Sequence, residues 1–476
     1  MAQRVKSPER NSGPAAGEEE PRIGPGPGRS ELMAAGKKLR ETCPRSAHAE
    51  WAPAPDRPDP VELMEAANAG RIPELIPIRH GRMLRSPFTF YRGAALNMAA
   101  DLAATPSTGL RTQACGDAHL MNFGAFATPE RLVNFDINDL DETLPAPWEW
   151  DVKRLAASVV LACRSNGFSE AVARDATVAT VRSYRERMAE YSELRTLEVW
   201  YASIGLEQMQ AMVRDKEARH RGQRFLAKAR ARSVAEHDFP KLAVVAGGQP
   251  RIRDNPPLIY HLHDEAEATL LARIRGAFAG YRESLQEDRR VLIDRYELKD
   301  IAMKVVGVGS VGTTCSIMLM MASADDPLFL QVKEARASVL EPYAGASLHA
   351  HRGQRVVNGI RLMQSASDTF LGWATGKDGR HYYIRQLRDM KLSPKVELYT
   401  AGVMAQYGEF CGWSLARAHA RSGSPARISG YLGKGDTFDE AVADFAIAYA
   451  DQTERDYEVL LKAARAGRIE VITEPD

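Results

Sequence analysis

The chain has 476 residues, 44% hydrophobic and 26% charged, with a formal net charge of +1. This is ordinary globular composition with ample material for a core, and the near-neutral balance argues against nucleic acid or an anionic membrane as partner. The five cysteines form no CxxC pair, which argues against a disulfide framework and a cysteine zinc site, no stretch nears the ~20 apolar residues of a membrane helix, and a cytoplasmic location is expected.

Residues 1–58 are rich in Pro, Gly and charge and lack hydrophobic periodicity, as in GEEEPRIGPGPGRS and WAPAPDRPDP. Such text cannot offset ordering entropy by burial, and a disordered arm is expected. From Val61 the pattern becomes globular. LRTQACGDAHLMNFG reads as a strand entering a loop, and RLVNFDINDLDE as a strand ending in acids. DVKRLAASVVLACRSN and EAVARDATVATVRSYRERMAEY carry apolar residues at helical spacing. Helical text continues to about Ala235, and again over 265–286. The basic run RHRGQRFLAKARAR (219–232) reads as a solvated helix face, or as lining the approach of an anionic substrate. At about Asp300 the period changes. IAMKVVGVGSVGTTCSIMLMMA, LFLQVKEA and HYYIRQLRDM are strand-like around a Gly-rich turn. Helical text returns after residue 390. The predicted organisation is therefore an arm (1–58), a helical lobe (59–299), a β-rich lobe (300–390) and helices completing the helical lobe (391–476).

Four segments could carry chemistry. In CGDAHLMNFG, Asp117 and Asn122 lie five positions apart, a spacing that lets the Asp orient a substrate hydroxyl while the Asn reaches Mg²⁺. A turn-capping Asp and Asn is the competing reading. In FDINDLDE, Asp136 follows an apolar strand, with Asp139, Asp141 and Glu142 close behind. Hard carboxylate oxygens suit Mg²⁺, and Asp136 with Asn122 is the expected ligand pair, Asp139 an additional one. Gly307, Gly309 and Gly312 fit G-x-G-x-x-G between strands, which favours a hairpin over ATP phosphates rather than a dinucleotide turn. Lys333, on the next strand, is placed to hold the α- and β-phosphates, with Glu341 as candidate acidic partner.

Together these residues resemble the protein-kinase-like superfamily, in particular aminoglycoside and choline phosphotransferases, whose H-G-D-x-H-x-x-N loop precedes a strand ending in an acidic segment. CGDAHLMN and VNFDIND resemble these two, with Cys115 where a His would stand. The resemblance implies that Asp151, in PAPWEWDVKRLA, braces the catalytic loop. It also implies the reverse lobe order, glycine loop and Lys first. Here SLARAHARSG (414–423) resembles the run into a catalytic loop yet has none behind it. Joining Gly423 to the segment before Cys115 would restore the order. The expectation is a two-lobed α+β, protein-kinase-like fold, circularly permuted.

Residues 79–461 also closely resemble a bacterial family known as domain of unknown function 2252, through SPFTFYRGAA, CGDAHLMNFG, FDINDLDET, EWDVKRLAAS, LQVKEA and YYIRQLRDMK. The implied function is an ATP- and Mg²⁺-dependent phosphotransferase acting on a small-molecule hydroxyl or amine, with Asp117 catalytic. A kinase-like binding protein without turnover and a nucleotidyl (AMP) transferase are the alternatives. A metallophosphoesterase, suggested by G-D-x-H at 116–119, would need several further His and Asp ligands, including a G-N-H-type segment that is missing among the eleven histidines. His119 is expected to hold the loop through its ring nitrogens.

Overall fold

The computed structural model describes residues 26–215, 219–220, 239–246, 248–262, 265–305, 307–387 and 394–474. All but the first two residues of the basic run, and residues 1–25 of the expected arm, lie outside these.

The rest of the arm is folded. Helix α1 (Arg29–Lys38) crosses α8 (Pro425–Leu432) so closely that a Cβ on Gly36 would stand 1.9 Å from the Arg427 carbonyl oxygen. Arg40 donates to the carbonyls of Gly430 and Tyr431, and Arg45 to that of Leu432, each at 2.7 Å. These are the carbonyls a helix C-terminus leaves without an internal partner. His48 is buried against the Tyr431 hydroxyl at 2.8 Å, and Arg57 bridges Asp101 and Asp456. Disorder was expected because the segment has no apolar stripe. Its order comes from arginine-to-carbonyl bonds and a small-residue crossing, neither of which shows as periodicity.

Short helices at Pro60–Asn68, Ile76–Met83, Pro87–Gly93 and Ala95–Leu102 lead to strands β1 (Arg111–Ala114), β2 (Phe123–Ala127), β3 (Val133–Ile137) and β4 (Leu144–Pro147). β1 pairs antiparallel with β4 and β2 with β3, leaving Cys115–Asn122 and Asn138–Thr143 as two loops side by side. Helix α2 (Trp148–Ser165) follows directly. Every residue from Trp148 to Cys163 is buried, so its Val, Leu and Ala face packing on all sides, against α3 (Glu170–Glu193), α7 (Ala401–Ser422) and α9 (Thr437–Arg465). Each large apolar side chain so buried contributes roughly 1.5–3 kcal/mol.

A six-stranded antiparallel sheet forms the other body, in the order β11-β12-β10-β9-β8-β7. Its strands are β7 (Ile259–Tyr260), β8 (Glu297–Lys304), β9 (Cys315–Ser323), β10 (Asp326–Glu334), β11 (Gly372–Thr375) and β12 (His381–Gln386). A hairpin of β5 (Ala243–Ala246) and β6 (Gln249–Ile252) joins it. Helices α4 (Glu265–Ser284) and α5 (Glu287–Ile293) belong here as well. Tyr281, Leu285 and Ile293 share a core with Met318, Leu328, Leu330, Val332 and Ile384. The β-rich unit thus begins near residue 239, some sixty residues before the change of period at Asp300, because α4 and α5 read as helix in sequence but bury their apolar side on the sheet. Helix α6 (Arg352–Met363) lies between the sheet and the helical body.

No described helix is long and apolar enough to cross a membrane.

Candidate functional site

Strand alternation sorts β10 and β12 into two faces. Leu330, Val332, Tyr382 and Ile384 point into the core under α4. Gln331, Lys333 and Arg385 point the other way, into a cleft of about 630 Å³ between sheet and helical body. That is the size of a small-ligand site. The register puts Tyr383 directly opposite Lys333. Both converge on one carboxylate. Lys333 Nζ lies 2.6 Å from Asp141 Oδ2 and 3.5 Å from both Asp139 oxygens, and the Tyr383 hydroxyl donates to Asp141 Oδ1. Burial would push Asp141 up, but the Lys333 ammonium outweighs it and holds the carboxylate below its usual range. Burial likewise works against the charged Lys333, and Asp139 and Asp141 overcome it. The pair is therefore charged at neutral pH. Glu341 is not part of it, since it accepts from the Ser338 N–H at the start of its own helical turn.

The Asp117 loop faces this group. Asp151, in the first turn of α2, accepts the N–H groups of Cys115 (2.6 Å) and Gly116 (3.0 Å) and meets His419 Nε2 of α7 at 3.1 Å. It braces the loop, as the resemblance implied. Gly116 has φ +81°, and a Cβ there would stand 2.5 Å from the Glu142 carbonyl oxygen, so the loop and the acidic segment touch only because residue 116 has no side chain. Asp117 Oδ1 accepts from Arg154 Nε at 2.7 Å. Burial raises the Asp117 pKa, but Arg154 and further cations bring it below the ordinary value. Asn122 donates its side-chain N–H to the Asp117 carbonyl at 2.7 Å, which fixes the amide beside the cleft.

Three expectations need correcting. Asp136 does not line the cleft. It is fully buried on the far side of β3, where it accepts from Arg417 (2.7 Å), the Ser365 N–H (2.8 Å) and hydroxyl (2.9 Å), and the Ile137 N–H (2.9 Å). The acids that reach the cleft, Asp139 and Asp141, lie in the loop beyond the strand's end, whereas Asp136 lies within the strand and is held there by Arg417 and Ser365. Gly312 also stays outside the cleft. Its φ of +84° serves the turn itself, whose carbonyls at Gly309 and Val311 are held by Arg71. Gly307 and Gly309 do line the cleft. Among the described residues His119 does not hold the loop through its ring, since Nδ1 meets no hydrogen-bond partner there and Nε2 is 3.7 Å from Asp117. Burial pushes its pKa down to about 3, so it is neutral.

The structure thus brings Asp117, Asn122, Asp139, Asp141, Gly307, Gly309 and Lys333 to one cleft, across up to 216 positions of chain. Asp141 and Tyr383 were not singled out as site residues in the sequence. The Lys333–Tyr383 register could have flagged Tyr383, had the β10–β12 pairing been known. Among the described residues no three or more His, Cys, Asp or Glu side chains cluster as a metal site. Mg²⁺ needs fewer, because it is often held by one or two carboxylates together with nucleotide phosphates. Asp139 and Asp141, whose side chains are 34% and 28% exposed, fit that demand, and the enclosed Asp136 does not.

Fold and site therefore define a mixed α+β protein with a charged cleft between an antiparallel sheet and a helical body. Within that class the chain belongs to a bacterial family, domain of unknown function 2252, described as an uncharacterized protein conserved in bacteria, whose family model matches residues 71–463. No curated protein and no solved structure matches the chain.

Proposed function

We propose that the protein is an ATP- and Mg²⁺-dependent phosphotransferase on a permuted kinase-like fold, acting on a small-molecule hydroxyl or amine. The observation that carries this reading is the convergence of Lys333, Asp139 and Asp141 with the Asp117 loop in one cleft, although the lysine and the loop are 216 positions apart. A glycine loop, a lysine strand, a loop with Asp and Asn five apart, and acids after the next strand are the parts a kinase uses. Support for the permutation comes from Gly423, whose added Cβ would stand 2.6 Å from Thr112, and from Ser422, which accepts the Gln113 N–H at 3.2 Å. The two ends to be joined already touch, so rejoining them would leave the packing unchanged.

In this reading Gly307 and Gly309 let backbone approach the phosphates. Lys333 leaves Asp141 for the α- and β-phosphates, and Asp139 and Asp141 would hold Mg²⁺ with Asn122. Bound Mg²⁺ supplies neutralisation of phosphate charge. Asp117, anchored through Oδ1 by Arg154, orients the acceptor and takes its proton. The acceptor oxygen or nitrogen forms its bond to the γ-phosphorus as the bond to the β–γ bridging oxygen breaks and ADP leaves. A nucleotide-binding protein without turnover is the second reading, favoured by the Arg154 ion pair, which weakens Asp117 as a base.

The deciding experiment is calorimetric titration of Mg²⁺-ATP into wild type and Asp139→Ala. Saturable, Mg²⁺-dependent binding that the variant loses is the expected result. Folded wild type that takes up no nucleotide would end the proposal.

A further inference from the structure

The cleft holds seven cationic side chains against five acidic ones. Most of these cations are already committed. Arg71 holds the glycine loop, Arg79 binds Asn68 and the Gly93 carbonyl, Lys333 binds Asp141, and Arg385 binds the Asn138 carbonyl. Arg92 differs. It lines the cleft, its Nε is buried with no partner, and it has no hydrogen bond or ion pair among the described residues. Its guanidinium stands 6.0 Å from the centre of the Phe88 ring, at the outer edge of a cation–π interaction.

This arginine is held in place from both sides. Arg154 donates to the Tyr91 carbonyl at 3.2 Å and Arg79 to the Gly93 carbonyl at 2.7 Å, so both neighbouring peptides are anchored by buried guanidinium groups. The Arg92 carbonyl oxygen lies 3.7 Å from where a Cβ on Gly309 would stand, so the residue sits under the glycine loop. It is also near enough to Asp117 for the two charges to shift one another. A half-buried guanidinium fixed in backbone position, with its Nε buried and unpartnered and no ion pair among the described residues, becomes favourable on binding an anion, whose oxygens match its fork.

We infer that Arg92 forms an anion subsite on the Asp117 side of the cleft, and that the acceptor is therefore a small anionic molecule. The subsite itself stands on Arg92, and the acceptor assignment rests on the phosphotransfer reading. Neutral His119, beside Asp117, adds a hydrogen-bonding group without adding charge.

The test uses the full chain and two probes, inorganic phosphate and the non-hydrolysable analogue Mg²⁺-AMP-PNP, titrated by calorimetry separately and in sequence. The expected result is saturable phosphate binding that persists with the analogue bound, weakened about tenfold or more in Arg92→Gln and less in Arg92→Lys, which keeps charge without the fork. Affinity for the analogue should stay within about twofold. Circular dichroism and melting establish that the variants are folded, and the Lys variant reads out the charge should Gln not fold. Phosphate binding through Arg92 without any analogue binding would support the subsite and remove the phosphotransfer reading. Analogue binding with no phosphate binding, with phosphate displaced by the analogue, or with equal loss of both ligands in Arg92→Gln would overturn the subsite and leave that reading standing.

Discussion

Two carboxylates five positions apart, Asp136 and Asp141, each form an ion pair with a cation from a distant element, yet the two pairs do different work. Asp136 and Arg417 are both fully enclosed, and the Asp136 carboxylate is further met by Ser365 and Ser414. Asp141 and Lys333 sit at the floor of an open cleft, and Asp141 keeps over a quarter of its side chain exposed. A pair closed off from water can only hold elements together. An open pair can be separated by a ligand that supplies the missing charges, phosphate for the lysine and a cation for the acids.

The largest effect should therefore come from the closed pair. Asp136→Ala leaves Arg417 charged and unpaired in the core and should cost about 3–5 kcal/mol in urea or thermal unfolding. A loss below 1 kcal/mol would make the two pairs equivalent and break the comparison. Next comes Asp117→Asn, which should keep nucleotide affinity but lower transfer by about 10²–10⁴ once an acceptor is found. Unchanged transfer would remove Asp117 from the chemistry. Lys333→Ala should weaken Mg²⁺-ATP at least about tenfold, roughly 1.4 kcal/mol, at less cost in stability than Asp136→Ala, since the acids it leaves behind, Asp139 and Asp141, reach water. A large loss of stability would instead class this pair with Asp136–Arg417.

The smallest effect concerns His261, held between Asp254 (2.8 Å) and Asp300 (3.0 Å) at the edge of the sheet. The hydrogen bond to Asp300 outweighs burial and raises the imidazole pKa above 6.5. A group with a raised folded pKa stabilises fully below its unfolded value and loses that contribution as pH rises through the folded one. Asp300 shifts the opposite way: burial raises it, His261 lowers it further, and its contribution fades as pH falls below about 4. Stability of the sheet should thus decline as pH rises above 6.5, by less than about 1 kcal/mol after solvent screening. In Asp300→Asn that slope should flatten, and an unchanged slope in unfolding measurements would assign the pH dependence elsewhere.

Local text determined much of this protein. The Asp117–Asn122 spacing, the glycine run, the Lys333 strand and the change from helical to strand period at Asp300 depend on neighbours a few residues apart, and periodicity reports such contacts directly. The bracing role of Asp151 followed from resemblance to known loops. The choice among acids did not. Asp136, Asp139 and Asp141 are the same residue type within six positions, and which of them meets the cleft depends on where β3 ends and on Arg417 arriving from α7 to neutralise the first. The order of residues 26–58 rests on carbonyls of a helix four hundred positions away, and the assignment of α4 and α5 to the sheet on the side to which their apolar faces turn. Charge pairing and burial between distant elements have no period in the sequence, so only the tertiary structure could decide them.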